Sequence, residues 1–312
     1  MPRRKTTGTT DGVLLVDKPV GVSSHDAVSA ARRALHESRI GHGGTLDPFA
    51  TGLLVLLVGR ATRLLPHLSG EPKIYEATIR FGTETDTEDH LGTVAVEAPL
   101  PTREALLAAL PTFVGAIAQV PPAFSAKRVD GERAYAMARR GVTVDLAPVT
   151  IQVHRWEVLA LRPAADGRVA EAEVRITCGG GTYIRSLARD LARAVGSAAH
   201  LTALRRTRSG PFRVEDAVTL ESLRAATTPS EGPAASRSVL SEMLLPPLAA
   251  LPAHPVQPLA AEEIAQVVRG IEIPAAVEGG WGALTNAASG ALVALAERRG
   301  DRWQPRVVMH EA

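Results

Sequence analysis

Asp47 is a candidate nucleophile, because the residues around it form a shaped loop in front of an apolar run. It precedes Pro48, and the stretch before it holds two consecutive glycines and His42, five positions upstream. An aspartate before a proline is usually only a turn residue, but loops beside a rigid element often carry function. A carboxylate can act as a nucleophile, and a neighbouring guanidinium would favour the ionised form that this requires.

Other kinds of site are disfavoured by residue type and spacing. The nine histidines include no pair four residues apart, and Cys178 is the only cysteine, so neither a thiolate metal site nor a disulfide is expected. The acidic loop (residues 84–89) lacks the glycine and the final glutamate of a calcium loop. The turn GGGT at 179–182 has neither Walker nor Rossmann spacing, although its N–H groups could lie near an anion.

Several stretches carry motifs in a fixed order with the segment around Asp47. They are DKPVGVSS at 17–24, GHGGTLDPFATGLL at 41–54, KIY at 73–75, TDTED at 85–89, PPAFSA at 121–126 with GERAY at 131–135, GTYIRSL at 181–187 and LRRT at 204–207. Together they resemble the bacterial tRNA pseudouridine-55 synthases, a family of pseudouridine synthases, over about residues 12–212. Any one block is weakly specific, whereas the ordered set is highly specific.

The resemblance implies isomerisation of a uridine to pseudouridine at position 55, in the T-loop of tRNA, without a cofactor, a metal or a guide RNA. Asp47 would be the nucleophile, and attack on C6 of the base or on C1′ of the ribose both stay open. Arg185 would supply the charge beside it, with Asp89 pairing to Arg185. Tyr75 would lie against the uracil and take part in proton transfer.

The target base must be flipped out of a folded RNA loop, which costs a few kcal/mol. Stacking returns about 1–3 kcal/mol per base, and Tyr75 and Tyr183 are the candidate platforms. By resemblance, His42 fills the space that the base vacates and Leu204 lines the uracil pocket. A purely structural role, in the core or in a loop, is the alternative for each of these residues.

Basic residues predict contacts with the RNA backbone. The candidates are Lys18, Lys73, Lys127, Arg128, Arg133, Arg205 and Arg206. The insertion (residues 119–148) is basic, as expected for an element that clamps phosphates, whereas Lys18 and Lys73 could instead support the site loop. Between residues 182 and 213 arginines outnumber acidic residues, which indicates either a phosphate-attracting surface or a solvated basic face.

Regular elements must position these residues. Apolar runs predict strands at 12–16, 53–58, 75–81, 93–96, 149–160, 168–178, 281–285, 292–296 and 306–309. Helical spacing predicts helices from Ser23 or Ser24 to Ala34, over 103–110, around 133–140 and from Ile184 to Val195. Residues 41–44 are expected to form a flexible loop.

The resemblance implies an α+β fold. It consists of a pseudouridine-synthase catalytic domain with a mixed, largely antiparallel central sheet flanked by helices, the RNA-clamping insertion, and a small C-terminal β-rich PUA-like domain. The expected boundaries are a disordered basic arm at 1–10, the catalytic domain at 11–245 and the RNA-binding PUA-like domain at 246–312. The chain departs from the family at Gly179 and Gly180, where a serine and another residue are usual, and in a longer loop at 225–237.

Composition is ordinary for a globular protein, with 45% hydrophobic and 22% charged residues in 312. The longest apolar run, 53–58, is too short to cross a bilayer, and no secretory signal is evident. We therefore expect a cytoplasmic protein without a membrane span, and the resemblance implies a monomer that binds the T-arm stem-loop of tRNA with no obligatory protein partner. The alternatives are a synthase guided by a separate RNA–protein particle, a non-catalytic RNA-folding chaperone, and a chance Asp-Pro turn.

Overall fold

The computed structural model describes residues 11–68, 70–125, 127–129, 132–133, 137, 140, 146–225 and 242–309. The α-helices are α1 Ser24–Leu35, α2 Arg103–Ala109, α3 Ile184–Ala194, α4 Leu220–Ala225 and α5 Ala261–Val268. Short 3-10 helices span Gly59–His67, Leu110–Phe113, Val214–Asp216 and Pro247–Ala250.

The strands of the first half of the chain are β1 Gly12–Lys18, β2 Ile40–His42, β3 Thr51–Val58, β4 Lys73–Phe81, β5 Thr83–Thr85, β6 Val94–Glu97, β7 Gly115–Gln119, β8 Arg128–Val129 and β9 Glu132–Arg133. Those of the second half are β10 Val149–Pro163, β11 Val169–Cys178, β12 Ala199–Ser209, β13 Phe212–Arg213, β14 Val218–Thr219, β15 Leu244–Leu245, β16 Val256–Leu259, β17 Ile273–Pro274, β18 Trp281–Asn286, β19 Leu292–Arg299 and β20 Arg302–Val308.

Two compact units divide the chain. The first consists of Met1–Asp47, Leu53–Gly70 and Pro211–Ala312, and the second of Pro48–Gly52 and Glu71–Gly210. In the first unit β1 lies between β14 and β3, with β15 also on β1 and β2 on β3. A separate five-stranded sheet in the same unit has the order β16-β18-β19-β20-β17.

The element that follows Asp47 is the strand β3, which is rigid because both of its faces are buried. Its alternate residues Leu53, Val55 and Leu57 belong to one hydrophobic cluster, and Leu54 and Leu56 belong to another. Successive side chains of a strand point to opposite faces, so a strand that is buried on both faces reads as a continuous apolar run. Each such leucine stabilises the fold by about 1.5–3 kcal/mol relative to an exposed one.

Helix α1 begins where the sequence predicts. Ser23 is the N-cap residue, and its hydroxyl accepts from Asp26 N at 3.1 Å, while the Asp26 carboxylate accepts from Ser23 N at 3.1 Å. This capping box satisfies backbone donors that a helix start leaves without partners. The hydrogen bonds from Ser23 also lower the pKa of Asp26 below its ordinary value.

The second unit is built on an antiparallel series of strands in the order β12-β4-β11-β10-β7. The first two residues of β3 join this series, because Thr51 and Gly52 pair in parallel with Arg205 and Arg206 of β12. Gly52 has φ +100° and faces the backbone of Arg206 so closely that a Cβ would contact its carbonyl oxygen. Glycine is therefore required where β3 meets β12.

The α+β class with a mixed, largely antiparallel sheet and a β-rich C-terminal region is confirmed. One local expectation was wrong: Gly41 and His42 lie in β2 rather than in a flexible loop, because they pair with Leu57 and Leu56 of β3. The helix expected around 133–140 is confirmed in part, because Met137 is helical whereas Arg133 ends the strand β9. The domain boundaries stay predictions, and the basic arm at 1–10 and most of the loop at 225–237 lie outside the described residues.

Within the described ranges, the structure contains no helix that is long and apolar enough to cross a membrane.

Candidate active site

Ser24, the first residue of α1, holds Leu46, which is the last residue of the loop before Asp47. Ser24 is buried at the start of α1, where its hydroxyl donates to Leu46 O at 3.0 Å and accepts from Leu46 N at 2.8 Å. Earlier in the loop, Gly43 N donates to Val55 O at 2.9 Å. The residue immediately before Asp47 is therefore fixed through both of its backbone groups, and His42 is fixed in β2.

The residues that follow Asp47 enter the second unit. Phe49 lies edge-on to the ring of His90, with the ring centroids 5.7 Å apart, and His90 adjoins the acidic loop. Thr51 Oγ1 donates to Leu204 O at 3.4 Å. The residues that follow Asp47 in the chain therefore contact His90, next to the acidic loop, and Leu204 of β12.

Tyr75 and Leu204 lie on neighbouring strands of the second unit. Tyr75 of β4 is opposite Ile176 of β11 and Arg206 of β12, and Leu204 is opposite Ala77, two residues along β4. Residues that are directly opposite each other share a face of the sheet, so Tyr75 and Leu204 share one. Both are 7% exposed, a burial that suits either a uracil pocket or a core.

Tyr183 is the N-cap residue of α3, and its side chain makes no capping hydrogen bond. Instead, the buried side chain of Gln119 binds both of its backbone groups: Nε2 donates to Tyr183 O and Oε1 accepts from Tyr183 N, each at 2.9 Å. The sequence did not single out Gln119, because its partner lies 64 residues away.

Arg185 is buried in the first turn of α3, a position that the helix dipole makes unfavourable for a cation. Its guanidinium donates to Thr87 O at 2.6 Å and to Phe124 O at 2.9 Å. These carbonyls belong to the acidic loop and to the insertion. The guanidinium is thus held in place by two segments that are distant in sequence.

Glu88 of the acidic loop makes a buried ion pair with α3. Asp89 Oδ1 accepts from Thr87 Oγ1 at 2.8 Å and from Leu91 N at 3.0 Å. Glu88 pairs with Arg189, with both side chains buried, and its other carboxylate oxygen accepts from Ser186 Oγ at 2.9 Å. The expected pairing of Asp89 with Arg185 stays a prediction, while Asp89 Oδ1 binds groups of its own turn.

The arginines of α3 are largely matched by internal carboxylates. Glu88 pairs with Arg189, and Glu84 pairs with Arg193. Burial raises the pKa of Glu88 above its ordinary value, although Arg189 acts in the opposite direction. The basic excess that the sequence shows between 182 and 213 is therefore partly neutralised by the acidic loop, and only part of it faces solvent.

The candidate backbone contacts differ in exposure. Lys18 is fully buried, and its Nζ donates to Pro19 O at 3.0 Å and to Val22 O at 2.6 Å, which favours the structural alternative. Arg206 is 1% exposed, whereas Arg205 is half-buried and Lys127 is exposed. The side chains of Arg128 and Arg133 lie outside the described part of the chain.

Lys73 lies beside the glycine-rich turn, and its partial burial, together with Arg206, lowers its pKa below the ordinary value. Glu71 Oε1 accepts from Gly180 N at 2.7 Å, and a Cβ at Gly180 would contact this oxygen. The departure from the family at Gly180 thus makes room for the carboxylate of Glu71. Behind the turn, burial raises the pKa of Cys178 to about 11.

Among the described residues, no group of three or more His, Cys, Asp or Glu side chains could hold a metal ion.

Comparison with known families gives two matches that together cover most of the chain. The model of the TruB family pseudouridylate synthase N-terminal domain matches residues 32–184, and that of the tRNA pseudouridylate synthase B C-terminal domain matches residues 185–251.

Curated relatives named tRNA pseudouridine synthase B align along nearly all of the chain. The Thermobifida fusca protein is 45% identical over 305 residues, which are 96% of this chain and 98% of the relative. The Mycobacterium leprae protein is 42% identical over 304 residues, 96% of this chain and 91% of the relative.

Solved structures share the fold. A chain in the crystal structure of a Cbf5-Nop10-Gar1 complex superposes with a TM-score of 0.70 and 26% identity, over 96% of this chain and 85% of that one. A chain in the archaeal box H/ACA sRNP Nop10-Cbf5 complex superposes with a TM-score of 0.69 and 25% identity, over 96% and 86%.

Proposed function

The chain belongs to the TruB family of pseudouridylate synthases, and we propose that it converts one uridine of tRNA, at position 55 in the T-loop, into pseudouridine. The observation that carries this proposal is the near full-length similarity to relatives named tRNA pseudouridine synthase B. The reaction breaks the bond between N1 of uracil and C1′ of ribose and forms one between C5 and C1′. C5 loses a proton and N1 gains one, so the product is an isomer of the substrate.

Asp47 is the proposed nucleophile. A reacting group must be held close to its productive geometry, because a small misplacement costs a large factor in rate. The two hydrogen bonds between Ser24 and Leu46 support this role, since they fix the backbone one residue before the carboxylate. Attack on C6 and attack on C1′ are both compatible with a carboxylate nucleophile.

Arg185 is the proposed partner charge for Asp47. A guanidinium favours the ionised form of a nearby carboxylate, and the hydrogen bonds of Arg185 to Thr87 O and Phe124 O hold the guanidinium in one orientation. Tyr75, Leu204 and Tyr183 are the proposed contacts of the flipped uracil, with Tyr75 also moving a proton. The burial of Tyr75 and Leu204 supports an apolar pocket that would exclude water.

His42 is proposed to fill the space that the base vacates, and Asp89 to pair with Arg185 and contribute to substrate binding. Lys73, Lys127 and Arg205, with Arg128 and Arg133 of the insertion, remain the proposed contacts with RNA phosphates, which supply affinity without sequence specificity. The C-terminal sheet is the proposed second RNA-binding surface. Monomeric action without a guide RNA or protein partner, in the cytoplasm, stays a prediction.

The proposal is tested by incubating the purified protein alone with an unmodified tRNA transcript and mapping pseudouridine at each uridine. We expect one modified position, in the T-loop, and no modification in a transcript that carries cytidine at that position. If modification requires an added guide RNA–protein particle, the alternative of a guided synthase replaces the proposal. If the protein binds and refolds tRNA but forms no pseudouridine, a chaperone role replaces it.

A further inference from the structure

The insertion begins where β7 ends, at Gln119, and ends where β10 begins, at Val149. These two residues pair in register, as the last residue of β7 and the first of β10. Gln119 is fully buried, so its side-chain amide needs internal partners. It has them in Tyr183, whose N–H and C=O it binds at 2.9 Å each.

The side-chain amide of Gln119 pairs with the N–H and C=O of Tyr183, as the backbone of a neighbouring strand would. The backbone of Tyr183 is extended, with φ −99° and ψ 108°, and the helix α3 begins at the next residue. A partner that binds both backbone groups therefore fixes the direction in which α3 starts. Because the partner belongs to β7, that direction is set by the sheet rather than by the turn before Tyr183.

Two arginines of α3 extend the same connection. Arg189 donates to Val120 O, and Arg185 donates to Phe124 O, each at 2.9 Å. Both carbonyls lie in the root of the insertion (residues 119–125), directly after Gln119. The start of α3 and the root of the insertion are thus joined by four hydrogen bonds, of which Gln119 makes two.

We propose that Gln119 is a positioning residue, which sets the orientation of Tyr183 and of the start of α3 relative to the insertion. The inference rests on the proposed function, because it takes Tyr183 to be a uracil contact and the insertion to be an RNA clamp. Gln119 itself acts through Tyr183 and does not touch the substrate.

The matched control is Gln257, a buried glutamine in the C-terminal sheet. Its amide also binds buried backbone groups, with Nε2 donating to Pro274 O at 3.1 Å and Oε1 accepting from Ala276 N at 2.8 Å, and Oε1 accepts from Trp303 Nε1 at 2.7 Å as well. Gln119→Leu and Gln257→Leu should therefore both lower the melting temperature, because each leaves buried backbone groups without a partner. Only Gln119→Leu should affect the chemical step.

The readout is the single-turnover rate constant of pseudouridine formation at saturating tRNA, with tRNA affinity measured separately. We expect Gln119→Leu to lower the rate constant about tenfold or more, with affinity within about twofold of the original, and Gln257→Leu to leave the rate constant at saturating tRNA unchanged. Gln119→Glu adds a pH test. Its carboxylate accepts from Tyr183 N but donates to Tyr183 O only when protonated, so its rate relative to the original protein should rise as the pH falls.

Three results decide the matter. A rate constant for Gln119→Leu equal to that of Gln257→Leu would make the amide merely structural and overturn the inference, while activity of the original protein would leave the proposed function intact. A pH-independent ratio for Gln119→Glu would overturn it as well. Absence of pseudouridine with the original protein would overturn the proposed function itself.

Discussion

Replacing Ser24 by alanine removes the hydroxyl that binds both backbone groups of Leu46, the residue before Asp47. The hydroxyl binds Leu46 O at 3.0 Å and Leu46 N at 2.8 Å, and both residues are 3% exposed. Each buried backbone group left without a partner costs about 1–3 kcal/mol. Partial relaxation of the loop reduces the sum, so we expect the free energy of unfolding to fall by about 2 kcal/mol.

Ser24→Ala should lower the catalytic rate more than the affinity for tRNA. When Leu46 is no longer held, the position of Asp47 is less well fixed. A misplacement of about 1 Å costs on the order of a hundredfold in rate. We therefore expect Ser24→Ala to lower the single-turnover rate constant about ten- to a hundredfold at saturating tRNA. Affinity for tRNA should change little, because phosphate contacts elsewhere carry most of it. Quenched-flow assays and filter binding measure the two quantities.

Ser23→Ala is the matched control. Ser23 caps α1 through Asp26, and losing such a cap costs about 1 kcal/mol. This variant should lower stability but leave the rate constant within about twofold of the original. The reasoning would be refuted if the two serine variants lost the same factor in rate, or if Ser24→Ala lost stability alone.

Three further predictions follow from single contacts. Arg185→Lys should slow the chemical step more than it weakens RNA binding, because an ammonium cannot replace a planar fork that serves two carbonyls; equal losses in rate and affinity would make Arg185 a phosphate contact. Gly52→Ala should lower the free energy of unfolding by about 2–5 kcal/mol, because φ is +100° and the new Cβ meets the backbone of Arg206; urea denaturation measures this, and a loss below about 1 kcal/mol would contradict it. Cys178 is buried and has a pKa of about 11, so at pH 8 only ~0.1% of the thiol is ionised. It should resist iodoacetamide until denaturant is added, and mass spectrometry showing rapid alkylation of the native protein would count against the structure.

Elements with local signals could be predicted from the sequence. The capping box at Ser23 and the apolar run of β3 lie within short windows, and α1 and β3 form where these signals indicate. Strand β12 was not predicted, because arginines interrupt its pattern and its pairing with β3, β4 and β13 stabilises it as a strand. Residues 41–42 read as a loop for the same reason, since their partner strand comes later in the chain.

The candidate site divides in the same way. Asp47, Tyr75 and Arg185 came from ordered motifs, and their roles stay predictions. The contacts that hold the site could not be predicted, because their partners are far apart: Ser24 and Leu46 by 22 residues, and Glu88 and Arg189 by 101. Only the folded chain shows which carboxylate an arginine meets, as Glu88 meets Arg189.

The role of Asp47 is tested most directly by Asp47→Asn, a replacement of nearly the same size that is a far weaker nucleophile. The measurement is the amount of pseudouridine formed in an unmodified tRNA under single-turnover conditions, together with the affinity of the variant for the same tRNA. We predict no detectable pseudouridine and an affinity within about threefold of the original protein, because phosphate contacts carry most of the binding. Pseudouridine formation by the variant at a measurable fraction of the original rate would contradict the assignment of Asp47 as the nucleophile.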